Sequence, residues 1–102
     1  MRATLTQRAR ADLREALQWI ARDSLEAANE LNDLVEAAGL HIGNNPAIGS
    51  RRPLIAGDHY RFWSLRRQRY VLVYRNRPIP PQIVRIVHMS RDLPSALAEL
   101  LG

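Results

Sequence analysis

The chain has 102 residues, a formal net charge of +5 and no cysteine. That length holds a single domain, residues 1–102, with one modest core. The missing thiols exclude disulfides and thiolate zinc sites, and no apolar run approaches the ~20 residues of a membrane helix. The opening Met1-Arg-Ala-Thr-Leu-Thr-Gln7 has no apolar signal core, which points to a cytoplasmic protein.

All 15 basic residues are arginine, and they are unevenly spread. Residues 1–50 hold 5 Arg against 7 Asp/Glu; residues 51–92 hold 10 Arg against Asp58 and Asp92. A genome rich in G and C accounts for missing lysine but not for this segregation. A basic half suggests a phosphate backbone or an acidic protein as partner, and arginine's planar fork suits either.

In chain order, residues 2–6 alternate polar and apolar and predict a short strand, with Thr6 as the N-cap of the helix that follows. From Gln7 to Arg22, Ala9, Leu13, Ala16, Leu17 and Ile20 recur at helical spacing, with Trp19 beside the stripe. Asp23 or Ser24 caps a second helix, with Glu26 placed for a capping-box contact to Asp23. Its stripe is Leu31, Leu34, Val35, Ala38 and Ile42, so the two helices form an antiparallel hairpin. Gly39 weakens the second helix, and Gly43-Asn-Asn-Pro46 ends it through left-handed geometry that proline then terminates.

From about His59 the period changes to two. Arg61, Trp63 and Leu65 share one strand face, and Tyr60, Phe62 and Ser64 the other. Arg66-Arg-Gln68 is a turn to a hairpin partner, Arg69 to Arg75, in which Tyr70, Leu72 and Tyr74 alternate with Val71 and Val73. A proline-rich turn over 76–81 leads to Gln82–Met89, the most β-branched run and the expected central strand. Ser90 to Gly102 ends in a short helix with Leu93, Leu97 and Leu100/Leu101 on its apolar side. The order βααβββα predicts an α+β fold, a helical hairpin on one face of a mainly antiparallel four-stranded sheet.

No phosphate-cradling glycine loop or clustered metal-ligand motif is present, and no cofactor is expected. His41 and His59 read as surface or capping residues. His88, at the end of the central strand beside Arg91 and Asp92, is either a general acid or base or a hydrogen-bonding residue at the sheet's end. The helix carboxylates Asp12, Glu15, Glu26, Glu30, Asp33 and Glu36 read as a solvated face. Arg61, Arg69, Arg75 and Arg85 lie on adjacent strands ~5 Å apart. They either converge on a nucleic-acid or acidic-peptide surface, or are scattered charges ion-paired to the acidic helices. Tyr60, Phe62, Tyr70 and Tyr74 either stack bases or fill the core.

The chain resembles the ParE toxins of the RelE/ParE superfamily. Five segments carry the likeness: Ala11-Asp-Leu-Arg-Glu-Ala-Leu-Gln-Trp-Ile20, Ser24-Leu-Glu-Ala-Ala28, Asn45-Pro-Ala-Ile-Gly49, Arg69-Tyr-Val-Leu-Val-Tyr-Arg75 and Ile83-Val-Arg-Ile-Val-His-Met-Ser-Arg-Asp-Leu93. The last is similar to the family's closing I-x-R-V-x-H-x-x-R-D-L. The resemblance implies the toxin of a type II toxin–antitoxin module, a plasmid stabilisation protein that inhibits DNA gyrase. It also implies a cognate ParD-like antitoxin with a ribbon–helix–helix DNA-binding region, in a hetero-oligomer that meets DNA only through antitoxin or gyrase. The RelE branch instead cuts mRNA on the ribosome, with an arginine after the first aromatic of the strand here running from Arg69 to Arg75, and often a tyrosine near the C-terminus. Val71 stands at that arginine position, and Tyr74 is the last tyrosine. Arg85, His88 and Arg91 remain as an incomplete catalytic set, so a binding protein is favoured over a nuclease. Arg61, Trp63, Arg69, Arg75, Arg85 and Arg91 are the candidate partner-binding residues.

Overall fold

The computed structural model describes residues 1–101. Gly102, with which the sequence reading closes the last helix, lies outside the described residues. The elements are β1 (Thr4–Leu5), α1 (Gln7–Ala21), α2 (Leu25–Asn44), β2 (Tyr60–Leu65), β3 (Tyr70–Arg75), β4 (Gln82–His88) and α3 (Leu93–Ala96), followed by a 3₁₀ turn over Ala98–Leu100. The sheet order is β1-β4-β3-β2. β1 is parallel to β4, and the other two pairs are antiparallel. The expected α+β order is therefore present, with β4 and β3 central.

The helical hairpin forms for local reasons. Thr6 Oγ1 accepts from the Ala9 amide at 3.2 Å and starts α1. Ser24 Oγ accepts from the Ala27 amide at 3.0 Å and starts α2. With Ser24 as the cap, Glu26 sits one position short of the capping-box place, and the expected contact to Asp23 does not form. Both apolar stripes turn inward. Ala9, Ala16, Leu31, Val35, Ala38 and Ile42 pack on the sheet face made by Tyr70, Leu72, Tyr74, Ile83 and Ile86.

One expectation is corrected and one is extended. First, α2 does not end in left-handed geometry: it runs through Gly39 and Gly43 to Asn44, and its cap, Asn45, has φ −141°. Gly43 serves a close approach instead, because a Cβ there would run into the Met1 carbonyl and the Ala3 amide. The N-terminal segment lies across this part of the helix, with the Ala3 amide donating to Gly39 O at 2.9 Å. Second, the sheet is covered on both faces. Opposite the helices, Phe62, Val71, Val73 and Val87 pack under Ala56 of the α2–β2 connection and Leu97 of the C-terminal segment. β3 is accordingly buried along its length except at Arg75. Of the four aromatics weighed as a stacking surface, Phe62, Tyr70 and Tyr74 are core.

The connection from α2 to β2 is pinned from the sheet. Tyr74 Oη donates to Pro46 O at 2.7 Å and accepts from the Gly49 amide at 2.8 Å. Arg61 Nη1 donates to Gly49 O at 2.7 Å and to Ala47 O at 3.2 Å. Gly49 has no room for a side chain, since a Cβ would lie 2.7 Å from Tyr74 Cε1 and 2.8 Å from Phe62 O. The Asn45-Pro-Ala-Ile-Gly49 segment is thus a loop shaped to fit over a tyrosine.

Candidate protein-binding groove

β1 is two residues long and β4 is seven, so β4 outruns its neighbour. Past Leu5 the chain turns at Thr6 into α1, which then runs beside β4 instead of pairing with it. A groove of about 700 Å³ lies between them. Ala16, Trp19 and Ile20 line it from α1, and Ile86, Val87 and His88 from β4. Trp19 is 66% exposed, with the Arg22 guanidinium 5.2 Å from its ring centroid. Arg8, Arg22 and Arg91 also line the groove.

The floor rests on an ion network. Asp12 Oδ2 accepts from Arg85 Nε at 2.7 Å and from the Ile86 amide at 2.9 Å, while Oδ1 faces Arg8 Nε at 3.3 Å. On its other side the Arg85 guanidinium donates to Ala96 O at 3.0 Å and pairs with Glu99. The Arg85 side chain is only 4% exposed. Burial alone would lower its pKa, but the hydrogen bonds and charges of Asp12 and Glu99 outweigh that and hold it above its ordinary value. One guanidinium therefore ties α1 to β4 and β4 to the C-terminal segment.

This network changes the sequence picture of the charges. Asp12 is not on the solvated face. The reading of ion pairs to the acidic helices applies to Arg85, whose charge is spent inside the fold. Asp12 falls three residues after Ala9 and four before Ala16, so it lies on the apolar stripe itself, and that register is the signal that marks it.

The remaining candidate residues do not converge. Arg69 and Arg91 are exposed at the end of the sheet where β4 finishes, and the Met89 amide donates to Arg69 O at 2.7 Å. Arg69 has φ 60°, a left-handed conformation that closes the β2–β3 turn. Arg75 is exposed at the opposite end, paired across to Tyr60 and Gln82. Six strand residues separate the two ends by about 17–20 Å. Arg61 holds the loop at that far end, and Trp63 packs near His41 with ring centroids 5.5 Å apart. Arg69 and Arg75 stand at the two ends of one strand, β3, so its length keeps them apart.

His88 is half-buried at the groove's end. Its Nδ1 accepts from the Ser90 amide at 3.0 Å and lies 2.6 Å from Ser90 Oγ, and its ring meets Tyr70 edge-on at 4.9 Å. The bond from the Ser90 amide requires Nδ1 to be unprotonated. Among the described residues no group of three or more His, Asp or Glu side chains is arranged to hold a metal.

Sequence comparison places this arrangement in a family. The ParE toxins of type II toxin–antitoxin systems, parDE, match residues 3–93. The chain belongs to that family. Its match spans β1 through the start of α3, including the groove, Asp12 and Arg85. No curated protein matches the chain. Membership makes it the toxin of a toxin–antitoxin module and implies an antitoxin partner. Among the described residues no helix is long and apolar enough to cross a membrane.

Proposed function

We propose that this toxin acts by binding: it inhibits DNA gyrase and is neutralised by a ParD-like antitoxin in a cytoplasmic hetero-oligomer. The observation that carries this reading is Arg85. Cleaving RNA needs cations that stabilise a developing phosphorane, together with groups that take and give protons. Arg85 belongs to the set Arg85, His88 and Arg91 that would do that work, and its guanidinium is buried between Asp12 and Glu99. Val71, at the RelE-branch arginine position, is 1% exposed under the C-terminal segment. A charged side chain there would lose its hydration without a partner. What supports a binding role is the groove, which offers apolar floor, exposed indole and a cationic rim.

Purified gyrase with this toxin tests the proposal. Loss of supercoiling with accumulation of cleaved DNA is expected, relieved by the antitoxin. Unchanged supercoiling and no cleavage complex would refute it. Codon-phased cuts in translated mRNA that disappear in His88→Ala would instead establish the nuclease reading.

A further inference from the structure

At the end of the sheet away from His88, the chain enters β2 at Tyr60 and leaves β3 at Arg75. An open cleft of about 850 Å³ lies between these two segments. Asp58, His59 and Tyr60 line it from the approach to β2, and Arg75, Asn76 and Arg77 from the exit of β3. It shares no residue with the groove between α1 and β4. The strand period explains its inner wall. Arg75 follows Val71 and Val73 on the second sheet face, and Tyr60, its cross-strand partner, precedes Phe62 on that same face. Tyr60 packs against the core there, so a fixed ring stands beside an exposed guanidinium.

We propose that this cleft is a binding site for the phosphodiester backbone of DNA. The proposal rests on the gyrase reading above only for where the DNA is met, namely while gyrase holds it. Charge gives the first argument. Among the described residues the ion pairs engage Arg8, Arg67 and Arg85, and neither Arg75 nor Arg77. Both are exposed, and a planar guanidinium fork matches two phosphate oxygens at once. Asn76 and His59 add uncharged donors beside them. Asp58 is the one carboxylate in the lining, so the two cations outweigh it.

The lining also separates a phosphate chain from an acidic protein segment. Protein partners draw most of their affinity from apolar or aromatic anchors seated in pockets. Here Pro78 and the Tyr60 ring supply the apolar part of the lining, and that ring already serves the core. A phosphate backbone needs cations and open access, and no apolar seat.

Anisotropy of a short labelled duplex titrated with the full-length toxin tests this. Affinity is expected in the non-specific range of about 10⁻⁴–10⁻⁶ M at physiological salt, falling steeply as salt rises. Arg75→Gln and Arg77→Gln should each weaken binding about twofold to fivefold and reduce the salt slope by about 1. Asp58→Asn should tighten it by a similar factor. Arg66→Gln removes an exposed cation that lines neither this cleft nor the groove, and should leave the slope unchanged. Unchanged circular dichroism and urea midpoints show that the variants fold. Absence of duplex binding overturns the proposal. If Arg66→Gln lowers the slope as much as Arg75→Gln, general attraction to a basic surface replaces the site. Displacement of the duplex by AMP or by polyglutamate at matched charge gives the cleft to a free phosphate ester or to an acidic protein, and either overturns the backbone assignment. The supercoiling assay separates this proposal from the gyrase reading. Equal inhibition by wild type and by the toxin carrying both Arg75→Gln and Arg77→Gln keeps gyrase as target and overturns the cleft's part in it. Duplex binding through the cleft with supercoiling unchanged keeps the phosphate site and removes gyrase.

Discussion

Replacing Asp12 by alanine removes the acceptor on which three donors converge: Arg85 Nε at 2.7 Å, the Ile86 amide at 2.9 Å and Arg8 Nε at 3.3 Å. The Arg8 contact is an exposed i, i+4 pair and contributes only about 0.3–0.5 kcal/mol. The Arg85 contact is different in kind. Removing one partner of a buried pair costs about 3–5 kcal/mol, because the other charge is left behind. Glu99 still faces Arg85, which places the expected loss at the lower end, about 3 kcal/mol. Set against a total stability on the order of 5–15 kcal/mol, that is a severe variant. At this chain length the melting temperature should fall by about 12–24 °C. Urea unfolding followed by tryptophan fluorescence and circular dichroism measures it, with Glu15→Ala on the same helix as control, expected within about 0.5 kcal/mol of wild type. Asp12→Asn should fall between, since it keeps an oxygen for the Ile86 amide but not the charge. Pairing Asp12→Leu with Arg85→Met should recover most of the loss, as apolar replacement of a whole buried pair often does. If Asp12→Ala and Glu15→Ala unfold alike, the clamp described here does not hold the fold.

The same reasoning gives predictions elsewhere. Tyr74→Phe leaves the Gly49 amide and Pro46 carbonyl without their hydroxyl partner and should cost about 1–3 kcal/mol in the same urea assay. Gly49→Ala should cost about 1–3 kcal/mol by crowding the Tyr74 ring and the Phe62 carbonyl. Burial holds both Tyr70 and Tyr74 above the ordinary tyrosine value of 10.0, although for Tyr74 the Gly49 hydrogen bond and Arg61 act in the opposite sense. Unfolded tyrosines therefore ionise first, so stability is fully present below pH 10.0 and declines as pH rises past it. Urea midpoints that stay level across the alkaline range would contradict this.

Much of the architecture was legible because each element has a clean period. The stripe from Ala9 to Ile20 repeats at helical spacing, and the alternation in Tyr70–Tyr74 assigns Tyr70, Leu72 and Tyr74 to the helix side and Val71 and Val73 to the other. What stayed hidden depends on long-range partners. Whether Asp23 or Ser24 caps α2 decides where Glu26 falls, and local pattern leaves that open. Gly43 looks like a helix terminator until the N-terminal segment is seen lying against it. The cover over the second sheet face comes from two residues far apart in the chain, Ala56 and Leu97, in stretches with little regular structure.

The arginines show why a charge tally alone misplaces a binding site. Within the basic segment, Arg85 is neutralised in the interior, Arg61 is bonded to loop carbonyls and Arg52 lies over Phe62 at 4.9 Å. Arg51, Arg66, Arg67, Arg69, Arg75, Arg77 and Arg91 remain exposed, with Arg66, Arg67, Arg69 and Arg91 at one end of the sheet and Arg75 and Arg77 at the other. Exposed charges so divided form no single patch, since the two ends lie farther apart than the ~8–10 Å over which salt screens. The buried Asp12–Arg85 pair, by contrast, fastens α1 beside β4. Arg85, counted in the tally as one more surface cation, thus serves the fold instead, tying α1 to β4 and β4 to the C-terminal segment.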